Sequence, residues 1–138
     1  MLYQKPDKKN LFFNIARNIS DSGRGLGVMF RESGTVRRLI PLELAGGLLF
    51  GLTSGFILLE YVILIGTLVI LFTTETLNTA IEEVNDLVTL EENKRVQRSK
   101  DMASGAVAVW HLVYVLLAVF FLVSHLAGFA WWQHLIPA

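Results

Sequence analysis

F-I-L-L-E-Y-V-I-L-I-G-T-L-V-I-L-F-T-T, residues 56–74, runs directly into E-T-L-N-T-A-I-E-E-V-N-D, residues 75–86. The first stretch is apolar apart from Glu60 and a few small or hydroxylated residues. As a helix its nineteen residues would be about 28 Å long, close to the roughly 30 Å of a bilayer's hydrocarbon core. It therefore reads as a membrane-spanning helix whose helical character continues through Asp86. At roughly 100° per residue, Glu75, Glu82 and Asp86 fall within about 20° of one direction. Asn78 and Asn85 sit to one side of that stripe and Glu83 to the other. Carboxylates in a line repel one another unless a cation or proton compensates, and acids flanked by amides suit a hard, oxygen-seeking cation.

The rest of the chain fits this reading. It has 138 residues, enough for one domain, and 53% of them are hydrophobic against 17% charged, with a mean hydropathy of +0.51. The absence of cysteine excludes disulfides, thiolate metal sites and a cysteine nucleophile. Net charge is zero and no basic-aromatic motif is present, so nucleic acid is not an expected partner. Residues 1–10 are polar, and no cleaved signal peptide is expected from them. From Leu11, apolar residues at Phe12, Ile15, Ala16 and Ile19 alternate with Asn14, Arg17 and Asn18, giving an amphipathic helix suited to the membrane interface.

Ser22 to Gly34 is rich in glycine and includes G-R-G-L-G, but it lacks the lysine and the spacing of a phosphate loop, so packing or a hinge is expected there. A first span begins between Glu32 and Leu39 and ends near Leu52, with Arg37, Arg38, Pro41 and Glu43 in its first half. Thr53-Ser54-Gly55 signals a turn. Glu91 to Asp101 reads as a charged loop, Met102 to Leu126 as a third span, and Trp131 and Trp132 as an aromatic anchor. All twelve Lys and Arg lie up to Arg38 or from Lys94 to Lys100, which predicts the N-terminus and the charged loop in the cytoplasm and the C-terminus outside. The expected fold is an all-α membrane protein: an interfacial helix within a cytoplasmic segment 1–34, a three-span bundle over 35–126, and an outer tail from 127 to 138, together one domain. Small residues Gly46, Gly47, Gly51, Ala103, Gly105, Ala106 and Ala108 predict close helix contacts and a homo-oligomer with a site partly shared between subunits.

On this topology Glu75 lies at the cytoplasmic edge of the hydrocarbon, with Glu82 and Asp86 progressively further into water. A lipid headgroup reaches Glu75 from the membrane, and a soluble phosphate donor reaches Glu82 and Asp86 from the cytosol. Lys100-Asp101 stands opposite, at the start of the next span. His111, His125 and His134 are too far apart to form a ligand cluster, and a hydrogen bond to a neighbouring helix is the expected role of His111. Glu60 is expected to reach the outer interface, and Ser104 to pack helices. A transporter would call for a broken helix or inverted repeat, which this sequence lacks. An ion-binding membrane protein or a non-catalytic membrane subunit is the alternative class.

E-x-L-N-T-A-I-E-x-x-x-D, followed after 13 intervening residues by K-D-M-A-S-G-A-V from Lys100 to Val107, resembles the prokaryotic diacylglycerol kinase family, which includes undecaprenol kinases. The resemblance implies a homotrimeric inner-membrane enzyme that transfers the γ-phosphate of MgATP to a lipid hydroxyl, with diacylglycerol favoured over undecaprenol as acceptor. It implies Glu75 as general base, Glu82 as a Mg²⁺ ligand, and Asn78 as an active-site amide. Asp86 and Asp101 would belong to the nucleotide site, and Lys100 would contact the phosphates. The family's second metal ligand precedes the first span. Glu32 is the candidate, although Arg37 follows it one residue later than in the family's E-x-x-x-R spacing; Glu43 is the rival. Glu91-Glu92-Asn93 stands where relatives often carry an aromatic and a histidine.

Overall fold

The computed structural model describes residues 11–89 and 91–129. Among these residues the chain is all helical, with four helices: α1 (Leu11–Glu32), α2 (Gly34–Ser54), α3 (Leu58–Val88) and α4 (Lys94–Leu126). The N-terminal tail, Trp131, Trp132 and His134 lie outside the described residues.

Each break between helices has a local cause. Ser33 N–H donates back to the Met29 carbonyl at 3.0 Å and closes α1, while the Ser33 hydroxyl accepts from Val36 N–H at 3.1 Å and caps α2. Gly55 ends α2 in the left-handed region (φ 79°), and both its N–H and that of Phe56 donate to the Gly51 carbonyl. Glu60 accepts from Ile57 N–H at 2.9 Å in the first turn of α3. Asn93 Oδ1 accepts from Arg95 N–H at 2.9 Å and starts α4.

Two expectations are corrected here. The glycines of Ser22 to Gly34 form no hinge until Ser33, because α1 continues through Gly23, Gly25 and Gly27 to Glu32. The charged segment Glu91 to Asp101 is helix from Lys94 onward, since the Asn93 cap lets α4 begin before its apolar run.

α3 and α4 are 31 and 33 residues long. At 1.5 Å per residue each is about 45–50 Å, so each projects beyond a hydrocarbon core of roughly 30 Å. Among the described residues they are the two helices long and apolar enough to cross a membrane. α2 falls short of that measure because Arg37, Arg38 and Glu43 occupy its first half.

The α3–α4 pair is antiparallel, and it is linked near both ends. Asn85 Nδ2 donates to Ser99 Oγ at 3.2 Å at one end; His125 Nε2 lies 2.9 Å from Glu60 Oε2 at the other. Glu60 is 0% exposed, which corrects the expectation that it reaches the interface. Its carboxylate instead joins the two helices.

The core sits along one stripe of α3. Glu60, Leu64, Thr67, Leu68, Leu71, Glu75 and Asn78 are its buried residues, spaced by three or four except for the adjacent pair Thr67 and Leu68. Phe56, Val107, Tyr114, Ala118 and Phe121 pack onto the apolar part of this stripe. Gly47 and Gly51 of α2 are buried where they meet tyrosines: a Cβ on Gly47 would land on the Tyr114 hydroxyl, and one on Gly51 on the Tyr61 hydroxyl. The Tyr114 hydroxyl donates to the Glu43 carbonyl, and His111 Nδ1 lies 2.7 Å from Glu43 Oε1, so His111 does bond a neighbouring helix. Leu52, Leu58, Val62, Val69, Leu112, Leu116 and Leu126 are all exposed on the single chain. That much apolar surface calls for lipid or other subunits around it.

Candidate active site

The buried stripe of α3 changes character at Glu75. Up to Leu71 its large side chains are apolar apart from Glu60; one turn later come Glu75, 6% exposed, and Asn78, 8% exposed. The polar end of the stripe forms the floor of a cavity of about 420 Å³. Its walls come from three elements: Glu32 to Thr35 at the α1–α2 break, Glu75, Asn78, Thr79, Glu82, Glu83 and Asp86 of α3, and Ser104 and Val107 of α4. This volume lies within the usual range for small-molecule sites.

Within the cavity Ser33 Oγ donates to Glu75 Oε1 at 2.6 Å, a buried bond spanning 42 residues of sequence. Because the same hydroxyl caps α2, one side chain ties the start of that helix to the acid of α3. Asn78 Nδ2 donates to Glu82 Oε1 at 3.2 Å, while Asn78 Oδ1 is buried without a partner. An unpaired buried carbonyl oxygen costs free energy, and a cation or a donor placed there would recover it. Lys100 Nζ donates to Asp86 Oδ1 at the rim and holds the outermost acid of the stripe.

Five carboxylates (Glu32, Glu75, Glu82, Glu83 and Asp86) line the cavity and no basic side chain does. Their mutual repulsion favours entry of positive charge. Among the described residues no three acids or histidines come close enough together to make a complete metal site. A divalent ion here would draw on one or two carboxylates and complete its shell with water and the oxygens of a bound molecule, as Mg²⁺ ordinarily does.

Of the residues singled out from sequence, Glu32, Glu75, Asn78, Glu82 and Asp86 share this cavity, with Lys100 joined to it through Asp86. Glu43 does not line it; its carboxylate is engaged with His111. Asp101 is exposed and is not part of the lining. Sequence reasoning missed Ser33, Thr35 and Thr79 and turned Glu83 away. The signal for Ser33 was present, since a serine just before a new helical stretch is a cap candidate. Nothing local marked its second bond to Glu75.

A search of curated proteins finds no match. The sequence model of the prokaryotic diacylglycerol kinase family matches residues 20–122, a span that holds both motifs and every residue lining the cavity. The cavity is thus assembled entirely within the matched segment, and the chain belongs to the prokaryotic diacylglycerol kinase family of membrane lipid kinases.

Proposed function

We propose that the chain transfers the γ-phosphate of MgATP to the hydroxyl of diacylglycerol, giving phosphatidic acid, at the cytoplasmic face of the bacterial inner membrane. The observation that carries this reading is the acid-lined cavity where the buried stripe of α3 turns polar, next to the apolar part of the helix. In this reading α2 is the first of three spans, the N-terminus is cytoplasmic, the C-terminus is outside, and the assembly is a homotrimer. The apolar surface left exposed on the single chain supports association with lipid and with further copies.

In this reading Glu75 acts as the base. Its Oε1 is held by the Ser33 hydroxyl, and its Oε2 would take the proton as the lipid hydroxyl attacks the γ-phosphorus and the bond to the bridging oxygen breaks, releasing ADP. Asn78 orients Glu82 through its amide. Glu32 and Glu82 would hold Mg²⁺, which when bound offsets the charge of the ATP phosphates. Lys100 and Asp86 would meet the nucleotide at the rim, with Asp101 beyond them. Phosphoryl transfer depends mostly on positioning and charge stabilisation, so this small set of groups suffices.

Two substitutions test the assignment. Glu82→Ala should abolish Mg²⁺-dependent ATP turnover while the protein still assembles in detergent; an active, Mg²⁺-responsive variant would remove the metal assignment. Glu75→Gln should lower kcat by about a hundred- to ten-thousand-fold with ATP binding nearly unchanged. If Glu75→Gln weakened ATP binding and spared kcat, the base would lie elsewhere.

A further inference from the structure

A second cavity of about 420 Å³ opens on a different face of the α3–α4 pair, lined by Ile81, Arg95, Arg98, Ser99, Met102 and Ala103. It shares no residue with the acid-lined cavity, and its charge is opposite: two guanidiniums and no carboxylate. It lies where α4 changes from charged to apolar, since Arg98 precedes by one turn the Met102 that opens the apolar run.

The surface below it, on the membrane side, is apolar on both helices. On α3, Ile70, Leu77 and Ile81 follow one another at helical spacing; on α4, Met102, Val109 and Leu116 recur every seven residues. All six are exposed. The antiparallel register set by Asn85–Ser99 and Glu60–His125 places Leu77 level with Val109, and Ile70 level with Leu116. Two apolar lines therefore flank the seam from the bilayer interior up to the arginines. Gly105 has nothing within 4 Å of where its side chain would be, so no side chain obstructs its position near the top of the seam.

We propose that this seam binds an anionic phospholipid of the surrounding bilayer, with its phosphate on Arg95 and Arg98 and an acyl chain along Ile81, Leu77, Met102 and Val109. Arginine suits such a phosphate because its planar fork of donors can engage two oxygens together. The site shares no lining residue with the acid-lined cavity.

The test is lipid binding to the full chain in detergent, followed by native mass spectrometry, with phosphatidylglycerol and phosphatidylcholine of identical acyl chains as probes. The protein should retain phosphatidylglycerol roughly tenfold more strongly than phosphatidylcholine, as expected for two basic residues near an anionic headgroup. Arg95→Gln/Arg98→Gln should lose that preference, and Arg95→Lys/Arg98→Lys should keep most of it. Arg17→Gln/Arg24→Gln, on α1, should leave it intact.

No preference in the unaltered protein would overturn the proposal, a result that does not depend on how any variant folds. Preference surviving in the Gln pair, or lost in the α1 pair instead, would overturn it too. If the Gln pair broke the oligomer apart while its chains still preferred phosphatidylglycerol, the face would be a subunit contact and the proposal would fail. The outcome is independent of kinase activity, so it stands or falls separately from the reaction assigned above.

Discussion

Ser33 accepts from Val36 N–H and donates to Glu75, so removing its hydroxyl has two separable effects. Ser33→Ala should cost about 1 kcal/mol of stability through the lost cap, seen as a lower Tm in detergent. It should also lower kcat by roughly tenfold, because Glu75 loses the bond that fixes its orientation. Ser33→Thr keeps the hydroxyl and should restore both. A lower Tm with unchanged kcat would leave Ser33 as a cap alone. The acids' common face was legible: Glu75, Glu82 and Asp86 share it by helical arithmetic, and all three line the cavity, from buried Glu75 to exposed Asp86. Which of Glu32 and Glu43 lines the cavity was not legible, because it depends on where α2 bends away from α1. The break at Ser33 leaves Glu32 in the lining and carries Glu43 along α2 to His111.

At the scale of the element, α3 is one helix with two environments. Its buried stripe packs α4 through Leu64, Leu68 and Leu71, then supplies the cavity floor through Glu75 and Asn78. Any change in how α2 and α4 pack on the apolar part should be felt at the polar part. Gly47 is a sharp point for this, because a Cβ there meets the Tyr114 hydroxyl that bonds the Glu43 carbonyl. Gly47→Ala should destabilise by about 1–3 kcal/mol, as overpacking does. The cost should shrink in a Tyr114→Phe background, measured as a non-additive cycle by thermal unfolding. Gly46→Ala, with nothing within 4 Å, should be close to neutral. The small-residue pattern of α2 was readable in the sequence, but not which glycine is pressed, since that depends on a tyrosine 67 residues away. The early start of α4 was hidden for a related reason. Its first two turns are charged and carry no apolar period, so the Asn93 cap alone marks them.

For the whole molecule, the feature of most consequence is the number of helices that cross the membrane, three in the proposed topology. α3 and α4 are long and apolar enough; α2 carries three charges in its first half. The absence of native cysteine makes the test clean, because a single introduced thiol is the only one to label. Ser22→Cys and Gln97→Cys should react with an impermeant reagent from the same side of sealed vesicles, and Thr53→Cys from the opposite side; all three positions are exposed. Labelling of all three from one side would mean that the Thr53 turn does not reach the far surface and that the three-span topology is wrong. Composition and charge placement made the membrane assignment readable from the start. What covers the exposed leucines and valines was not, because they look alike whether lipid or protein surrounds them.

The measurement that bears most directly on the central claim is transfer of labelled phosphate from ATP in lipid-containing micelles. Diacylglycerol and undecaprenol should be offered separately, each with Mg²⁺ present and withheld. The account predicts labelled phosphatidic acid from diacylglycerol, lost without Mg²⁺ and lost in Glu75→Gln. Labelling of undecaprenol instead would keep the kinase and replace the acceptor. No transfer to either lipid from an assembled, ATP-binding sample would contradict the acceptor class, and no ATP binding at all would mean that the fold persists here without the chemistry.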